Sequence, residues 1–318
     1  MSHGLIWLPL LVVFPLITAL GWLERRRQRL FRAWAHGAEL AKLDDCGGAR
    51  LIDGVVSWSA FESGKLVVKD SFVIKHLELV ELYSRIQGRV PLPWFDLSGD
   101  TLARHNAEAR PVLQFENIPI ELTDLRLMVR QTADLLRRHG ALEEEDALRV
   151  QAIGRDQTLV EIVGSWYRAI SGRQTGDLDP ALDQVLTLAM RPFLSRCAEV
   201  LQQRGDLTAW THPYCPLCGS DPDFSVITPA AERHLICARC TMRWRFEPLT
   251  CPYCRNSDRS RITSFATPDG QYRVYACDAC QRYLKAYDGR RATRPVMPVV
   301  DGVATLPLDA AAMQRGYS

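Results

Sequence analysis

The fold the sequence predicts is a mainly helical amino-terminal domain followed by small metal-binding modules built from short strands, and three observations carry it. Apolar residues recur at helical spacing over much of the stretch from Ser71 to Leu201. After Trp210 that period is lost, Pro and Gly rise, and short apolar runs such as Phe224-Ser-Val-Ile227 and Tyr272-Arg-Val-Tyr-Ala276 read as strands. Eight of the ten cysteines then fall between Cys215 and Cys280, in four C-x-x-C pairs. The divisions that follow are a leading segment 1–29, a helical domain 30–208, a first four-cysteine module 209–250 and a second module with the carboxyl-terminal tail 251–318.

The leading segment runs from Gly4 to Leu23 without a charge and is followed at once by Glu24-Arg-Arg-Arg27 and Arg29. Twenty such positions suffice to cross a bilayer core, and the basic flank would hold the rest of the chain on the cytoplasmic side. Pro9 and Pro15 would break a soluble helix but are tolerated in a spanning one. A cleaved signal peptide fits less well, because no Lys or Arg precedes the apolar run. The competing readings are an extended start or a buried hairpin. All of them leave the cysteines in a reducing cytoplasm, where thiolates meet metals rather than each other. A net charge of +2 with 24% charged residues implies no polyanionic partner.

From Leu30 to Ser63 the pattern is irregular, with Cys46-Gly-Gly48 and Asp53-Gly54 marking turns, and no function attaches to it. A first helix is predicted from about Ser71 to Gln87 on Phe72, Leu77, Val80, Tyr83 and Ile86, with Gly88 after its end. Val90-Pro-Leu-Pro-Trp94 forces an extended segment, since a residue before proline avoids the helical region. Leu122, Leu125, Val129 and Leu136 mark a helix to about His139, stopped by Gly140. Asp156 is placed to cap another, with Leu159, Ile162, Val163, Trp166 and Ile170 on its buried stripe before Gly172. Asp179-Pro180 starts a third that carries Leu182, Val185, Leu186, Ala189, Phe193, Cys197 and Leu201 and kinks at Pro192. These stripes read as core, Cys197 included.

The chemistry lies in the cysteine pairs Cys215/Cys218, Cys237/Cys240, Cys251/Cys254 and Cys277/Cys280. Two thiolates two residues apart bind one ion from a tight turn, and a second pair completes a tetrahedral shell of four sulfurs, so four pairs make two sites. The 18 residues between Cys218 and Cys237 suit sequential pairing; the 22 between Cys254 and Cys277 are slightly long for it, and interleaved pairing stays open. Pro216 and Gly219 favour the first turn, Pro252 repeats half of this with Arg255 in the glycine's place, and the second and fourth pairs have neither aid. A disulfide framework would need an oxidising compartment, and thioredoxin-like exchange one pair at a helix start. Sulfur ligation alone does not choose between iron and zinc. His212 and His234 each precede a pair by three residues, but eight thiolates already satisfy two ions. Trp244, Tyr253, Tyr283 and Tyr287 are expected to pack beside the sites. Each loop is too small for a core of its own, so the ion supplies folding free energy, on the order of 10 kcal/mol.

These residues also carry a family resemblance. Tyr214-Cys-Pro-Leu-Cys-Gly-Ser, Arg233-His-Leu-Ile-Cys-Ala-Arg-Cys240 with Trp244, Cys251-Pro-Tyr-Cys254 and Ala276-Cys-Asp-Ala-Cys-Gln-Arg-Tyr-Leu-Lys-Ala-Tyr287 resemble the carboxyl-terminal half of the formate dehydrogenase accessory protein FdhE family. The tail Val300-Asp-Gly-Val-Ala-Thr-Leu-Pro-Leu-Asp309 with Met313-Gln-Arg-Gly-Tyr317 is similar too. The match is tight from His212 to Tyr317, looser from about Gly88 to Arg204, and slight before that. The resemblance implies a non-enzymatic cytoplasmic factor that binds the catalytic subunit of a respiratory formate dehydrogenase and supports its maturation to an active molybdenum or tungsten enzyme. It further implies rubredoxin-like or zinc-ribbon-like modules with iron at both sites, ligated by Cys215, Cys218, Cys237, Cys240, Cys251, Cys254, Cys277 and Cys280.

Two other classes compete. A thiol or iron redox protein acting on a client is compatible with the same sites, although the sequence offers no general base or proton relay. A zinc-ribbon nucleic-acid binder would use the arginines between Arg233 and Arg261, which are more commonly a solvated face, and nucleic acid is not the expected partner. Membrane contact through residues 4–23 and tethering to the inner membrane's cytoplasmic face follow only if that segment is an anchor.

Overall fold

The computed structural model describes residues 71–173, 178–267, 269–290, 296, 298, 301–302 and 305–318. The apolar segment 4–23, Cys46 and the whole of 1–70 lie outside the described residues. Among those described, no helix is long and apolar enough to cross a membrane.

Seven helices come first: α1 (Ser71–Gln87), α2 (Gly99–Ala107), α3 (Leu122–Arg138), α4 (Glu144–Ile153), α5 (Leu159–Ser171), α6 (Pro180–Ala189) and α7 (Arg191–Arg204). α3 is the hub, packing against α1, α4 and α6, while α1 also packs on α7. Its apolar stripe places Leu125, Met128, Val129 and Leu136 in the core, although Leu122, expected on the same face, is largely exposed at the helix start. Gly140 ends the helix with φ +64°, the left-handed geometry that costs glycine nothing. α6 is capped as expected, the Asp179 carboxylate accepting the Leu182 N–H at 2.8 Å. Asp156 is not the cap itself but lies two residues before it: it accepts from the Thr158 N–H and hydroxyl and shapes the turn into α5, whose N-cap is Thr158.

One expectation is corrected here. The single kinked helix from Pro180 to Leu201 is two helices, broken at Met190, because Pro192 has no N–H to offer the Leu188 carbonyl and sits instead in the first turn of α7. The helices α2 and α4 are short and contribute only Leu102, Ala147 and Val150 to the core, too few apolar positions to be read from the sequence.

Six strands follow: β1 (Pro222–Ile227), β2 (Arg233–Cys237), β3 (Arg243–Phe246), β4 (Ile262–Ala266), β5 (Tyr272–Cys277) and β6 (Arg282–Asp288). They form one mixed sheet in the order β3-β2-β1-β6-β5-β4, antiparallel throughout except for the central β1–β6 pair. The order repeats a three-strand unit. In each unit the first strand follows one cysteine turn, the second ends on the third cysteine, and the third strand follows the second turn. The two units sit side by side by translation, and the parallel β1–β6 register from Phe224↔Lys285 to Ile227↔Asp288 is the joint. Alternation within strands sends Leu235, Trp244 and Leu284 toward the helices, whereas Phe224, Val226 and Ile236 pack beneath α8 (Leu306–Gln314) with Tyr272 and Tyr287.

The sheet is fixed to the helices by main chain as well as side chains. Between α2 and α3, the Val112 N–H donates to the Pro216 carbonyl at 2.8 Å and the Leu113 N–H to the Leu217 carbonyl at 3.1 Å. The first cysteine turn is thereby paired directly to the helical body.

Candidate metal centre

Four turns build the site, and they share one geometry. The N–H of the residue after the second cysteine donates to the carbonyl of the first: Gly219 to Cys215, Thr241 to Cys237, Arg255 to Cys251 and Gln281 to Cys277. All four of these residues have left-handed backbone, with φ of 75°, 61°, 59° and 57°. Closing the turn requires this conformation at a fixed position, and only the first turn fills it with glycine. The reason is crowding: a Cβ on Gly219 would stand 2.9 Å from both the Pro111 side chain and the Ser171 carbonyl. Pairing of turns is sequential, so the interleaved alternative is set aside.

Cys215, Cys218, Cys237 and Cys240 form one cluster and Cys251, Cys254, Cys277 and Cys280 the other, with the four sulfurs of each within 4.8 Å of one another. Measured edges are 3.5 Å for Cys215–Cys240 and for Cys218–Cys237 in the first, and 3.7 Å for Cys251–Cys280 and for Cys254–Cys277 in the second. A tetrahedron with metal–sulfur bonds of about 2.3 Å has edges of about 3.8 Å. A disulfide would need about 2.05 Å. Each quartet thus fits one tetrahedral ion, and neither fits a disulfide pair.

The two environments differ. All four sulfurs of the first quartet belong to residues with no exposed surface, set in the main core beside Cys197 and Leu201 of α7. Burial pushes the Cys215 and Cys240 thiols well up. Burial opposes ionisation of Cys237 equally, yet three neighbouring thiols and the Cys240 N–H outweigh it and hold Cys237 well below its usual value. Metal ligation needs the sulfurs as thiolates, so in a set this deeply buried a bound cation would supply the charge that ionisation requires.

In the second quartet Cys254 is exposed and Cys280 half-exposed, while Cys251 and Cys277 are buried. Burial pushes Cys251 up to about 12. Cys277 is lowered despite its partial burial, by the N–H groups of Ala279 and Cys280 and by the thiols of Cys254 and Cys251. The Asn256 amide also approaches its sulfur at 3.8 Å.

Other candidates fall into place as packing. The His212 ring faces the Asn106 carbonyl at 3.0 Å and stacks on Tyr214, and its own carbonyl accepts from the Trp244 indole, so it ligates nothing. His234 lies mid-strand in β2, opposite Arg245. The Tyr253 hydroxyl donates to the Pro222 or Tyr283 carbonyl beneath the Arg282 guanidinium, and Tyr287 is buried against Tyr272. Cys197 has no exposed surface, and its thiol is pushed up to about 12 by burial. Sequence reasoning missed Arg233 as a neighbour of the second quartet; it is buried, hydrogen-bonded to the Thr250 carbonyl, and shares a small cavity with Cys251 and Cys277.

With this geometry in view, similarities to known proteins can be read. Residues 214–247, which hold the whole first quartet, match the family model described as FdhE, central domain. The chain is 28% identical over 196 residues to the protein FdhE homolog of Shewanella oneidensis, covering 60% of this chain and 63% of that one. It is 32% identical over 108 residues to protein FdhE of Escherichia coli, covering 33% and 35%. The crystal structure of the FdhE protein from Pseudomonas aeruginosa superposes with a TM-score of 0.51 at 20% identity, over 93% of this chain and 92% of that one, which shows a shared fold.

The chain resembles the FdhE family in sequence and in fold. It spans less than two thirds of the length of the curated FdhE relatives it matches in sequence, 63% and 35% for the two above. A second model, described as cyanobacterial PH domain, matches residues 39–101. Of that stretch the described part is α1, the extended segment after it and the start of α2. The second cysteine quartet lies beyond the FdhE central-domain match, yet its turns repeat the first two in every backbone detail given above.

Proposed function

We propose that this FdhE-like chain is an assembly factor that binds the catalytic subunit of a respiratory formate dehydrogenase in the reducing cytoplasm and supports its maturation, without being an enzyme itself. In this reading both quartets carry iron, with zinc as the alternative that sulfur ligation equally allows. The observation that carries the proposal is the pair of tetrahedral thiol quartets on one sheet in a chain with FdhE relatives. A single structural ion would be enough to fold a small module; a second, partly exposed quartet held in fixed relation to the first suits a surface that meets a client. The helical body supports that surface through the α2–α3 connection and α7.

Co-purification tests it. Tagged protein recovered from cells making formate dehydrogenase, under reducing and low-oxygen conditions, is expected to bring down the catalytic subunit, and freshly purified material to carry two ions per chain with the bleachable visible band of iron–thiolate centres. Absence of any molybdoenzyme subunit, together with full restoration of formate-dependent respiration by a Cys215→Ser, Cys218→Ser variant in a deletion strain, would sink the proposal. Colourless protein with two zinc ions would leave the assembly role and remove the iron.

The nucleic-acid reading draws little support from the arginines between β2 and β4, because three of them are engaged within the fold while Arg255, Arg259 and Arg261 form an ordinary exposed face. Arg233 is buried, Arg239 lies over the Trp166 ring, and Arg245 pairs with Glu232.

A further inference from the structure

Arg233 is the anomaly of the second quartet. It opens β2, the strand whose other end is Cys237 of the first quartet, so a five-residue strand of about 13 Å reaches from one site to the neighbourhood of the other. Only 4% of the residue is exposed. Its guanidinium donates to the Thr250 carbonyl, one residue before Cys251, and lies 5.4 Å from the Phe246 ring centroid. Its Nε is buried with no hydrogen-bond partner, and Glu247, the acidic side chain whose charge reaches it, makes no ion pair with it and is held instead by the Thr250 hydroxyl. Tyr253, Tyr275, Cys251 and Cys277 line the same small cavity.

A buried cation without a counter-charge is strongly destabilising, and folded proteins rarely keep one. Glu247 offsets the charge only from a distance, and Cys251 of the second quartet is the nearer influence. Four thiolates around a divalent ion carry a net charge of −2, and around a trivalent ion −1. The first quartet is placed otherwise: it sits among Cys197, Leu217 and the apolar core, and the aromatic and main-chain neighbours given above bring it no buried cation.

We propose that Arg233 is the internal counter-charge of the second thiolate centre: a positioning residue supplied by the first module that holds the second site in its metal-bound, anionic form. The inference rests on the metal reading above and goes beyond it by making the two sites unequal and joining them through β2. Arg233 touches no ion in this account. It acts through the field it places behind Cys251 and Cys277, and that field favours the more negative state of the centre.

The test is release of metal from the full chain loaded with cobalt(II), followed under a competing chromogenic chelator without oxygen. Two ions per chain are expected, released in two equal phases, with the fast phase absent in a Cys254→Ser variant and so assigned to the second quartet. Arg233→Met, which keeps the volume and removes the charge, should accelerate the fast phase tenfold or more and leave the slow phase within twofold. Arg233→Lys should restore most of the retention, because charge rather than shape is the active property. With iron loaded instead, Arg233→Met should lower the reduction potential of one of the two centres only, a signature that a merely structural role would not produce. Unchanged fast release in Arg233→Met, or equal acceleration of both phases in the Met and Lys variants alike, overturns the counter-charge. A chain that takes up no cobalt(II) overturns the metal reading itself, and this inference with it.

Discussion

The two quartets are built by the same turns and live in different places. In the first, every sulfur is sealed from solvent and the cysteines belong to the main hydrophobic core together with the helices. In the second, one cysteine is exposed and another half-exposed, and none of the four belongs to either hydrophobic core, although Tyr253 of its first turn packs against the main one. Identical local chemistry therefore has two different couplings to the rest of the molecule. The first quartet joins sheet to helices, so its loss is a global event; the second completes a three-strand unit joined to the rest chiefly through β1 and β6.

That contrast is broken most easily at the cysteines. Cys218→Ser should abolish cooperative thermal unfolding of the whole described structure, because a structural thiolate site is worth on the order of 10 kcal/mol while a domain's entire stability is about 5–15 kcal/mol. Cys254→Ser should instead leave the near-ultraviolet circular dichroism of the helical half, reporting Trp166 and Tyr167, close to wild type. Limited proteolysis would then cut first between β4 and β6. Equal loss of helical signal in both variants would show that the sheet's central joint transmits the damage, and the two regions would have to be treated as one.

Next in size is Gly219→Ala. The added methyl must take φ +75° and meets main chain at Ser171 and the ring of Pro111 at 2.9 Å. Strain of about 1 kcal/mol from the left-handed backbone adds to overpacking of about 1–3 kcal/mol. A fall of about 2–4 kcal/mol in urea unfolding is expected, with slow metal release from the first quartet accelerated and the second little changed.

Acid probes the other region. The Asp288 carboxyl is buried in β6 and accepts from the Arg290 guanidinium at 2.7 and 2.8 Å and from Arg273 at 2.7 Å; Arg290 first and then Arg273 hold it far below the usual carboxylate range. A depressed carboxylate stabilises the fold fully above its unfolded value of about 3.9, and that contribution fades as pH falls below it. Wild type should exceed Asp288→Asn by about 2 kcal/mol at pH 6, and the gap should narrow from pH 5 to 3. Both proteins protonate their thiolates over the same range, so the difference between them is the readout. A gap that stays constant down to pH 3 would mean that the ion pairs contribute nothing through charge.

Much of this was legible in the residues, and the reasons for the rest are physical. The cysteine spacing gave both quartets because ligand geometry is local, and the helices α3 and α5 showed because their apolar stripes are strong. Pro192 was read as a kink in one helix because periodicity continues across Met190, while the backbone hydrogen-bond ladder does not. The single sheet was hidden, since the parallel pairing of β1 with β6 joins residues about sixty positions apart and leaves no periodic trace. Arg233 was visible only as part of a motif, because nothing about an arginine at the start of a strand announces that it will be buried next to a sulfur cluster contributed by a later segment.

The smallest effect is the sharpest on cause. Arg255 holds the same position in the third turn that Gly219 holds in the first, with φ 59°, and it is exposed. Arg255→Gly relieves about 1 kcal/mol of left-handed strain and returns about 0.4–1 kcal/mol through the freer unfolded chain, leaving a net change of at most about 0.6 kcal/mol. Urea unfolding of the second region, followed by hydrogen exchange in β5 and β6, should therefore scarcely move. If Arg255→Gly proves as damaging as Gly219→Ala, the demand for glycine in the first turn does not come from the helices pressed against it, and the difference between the two quartets would lie in the turns themselves.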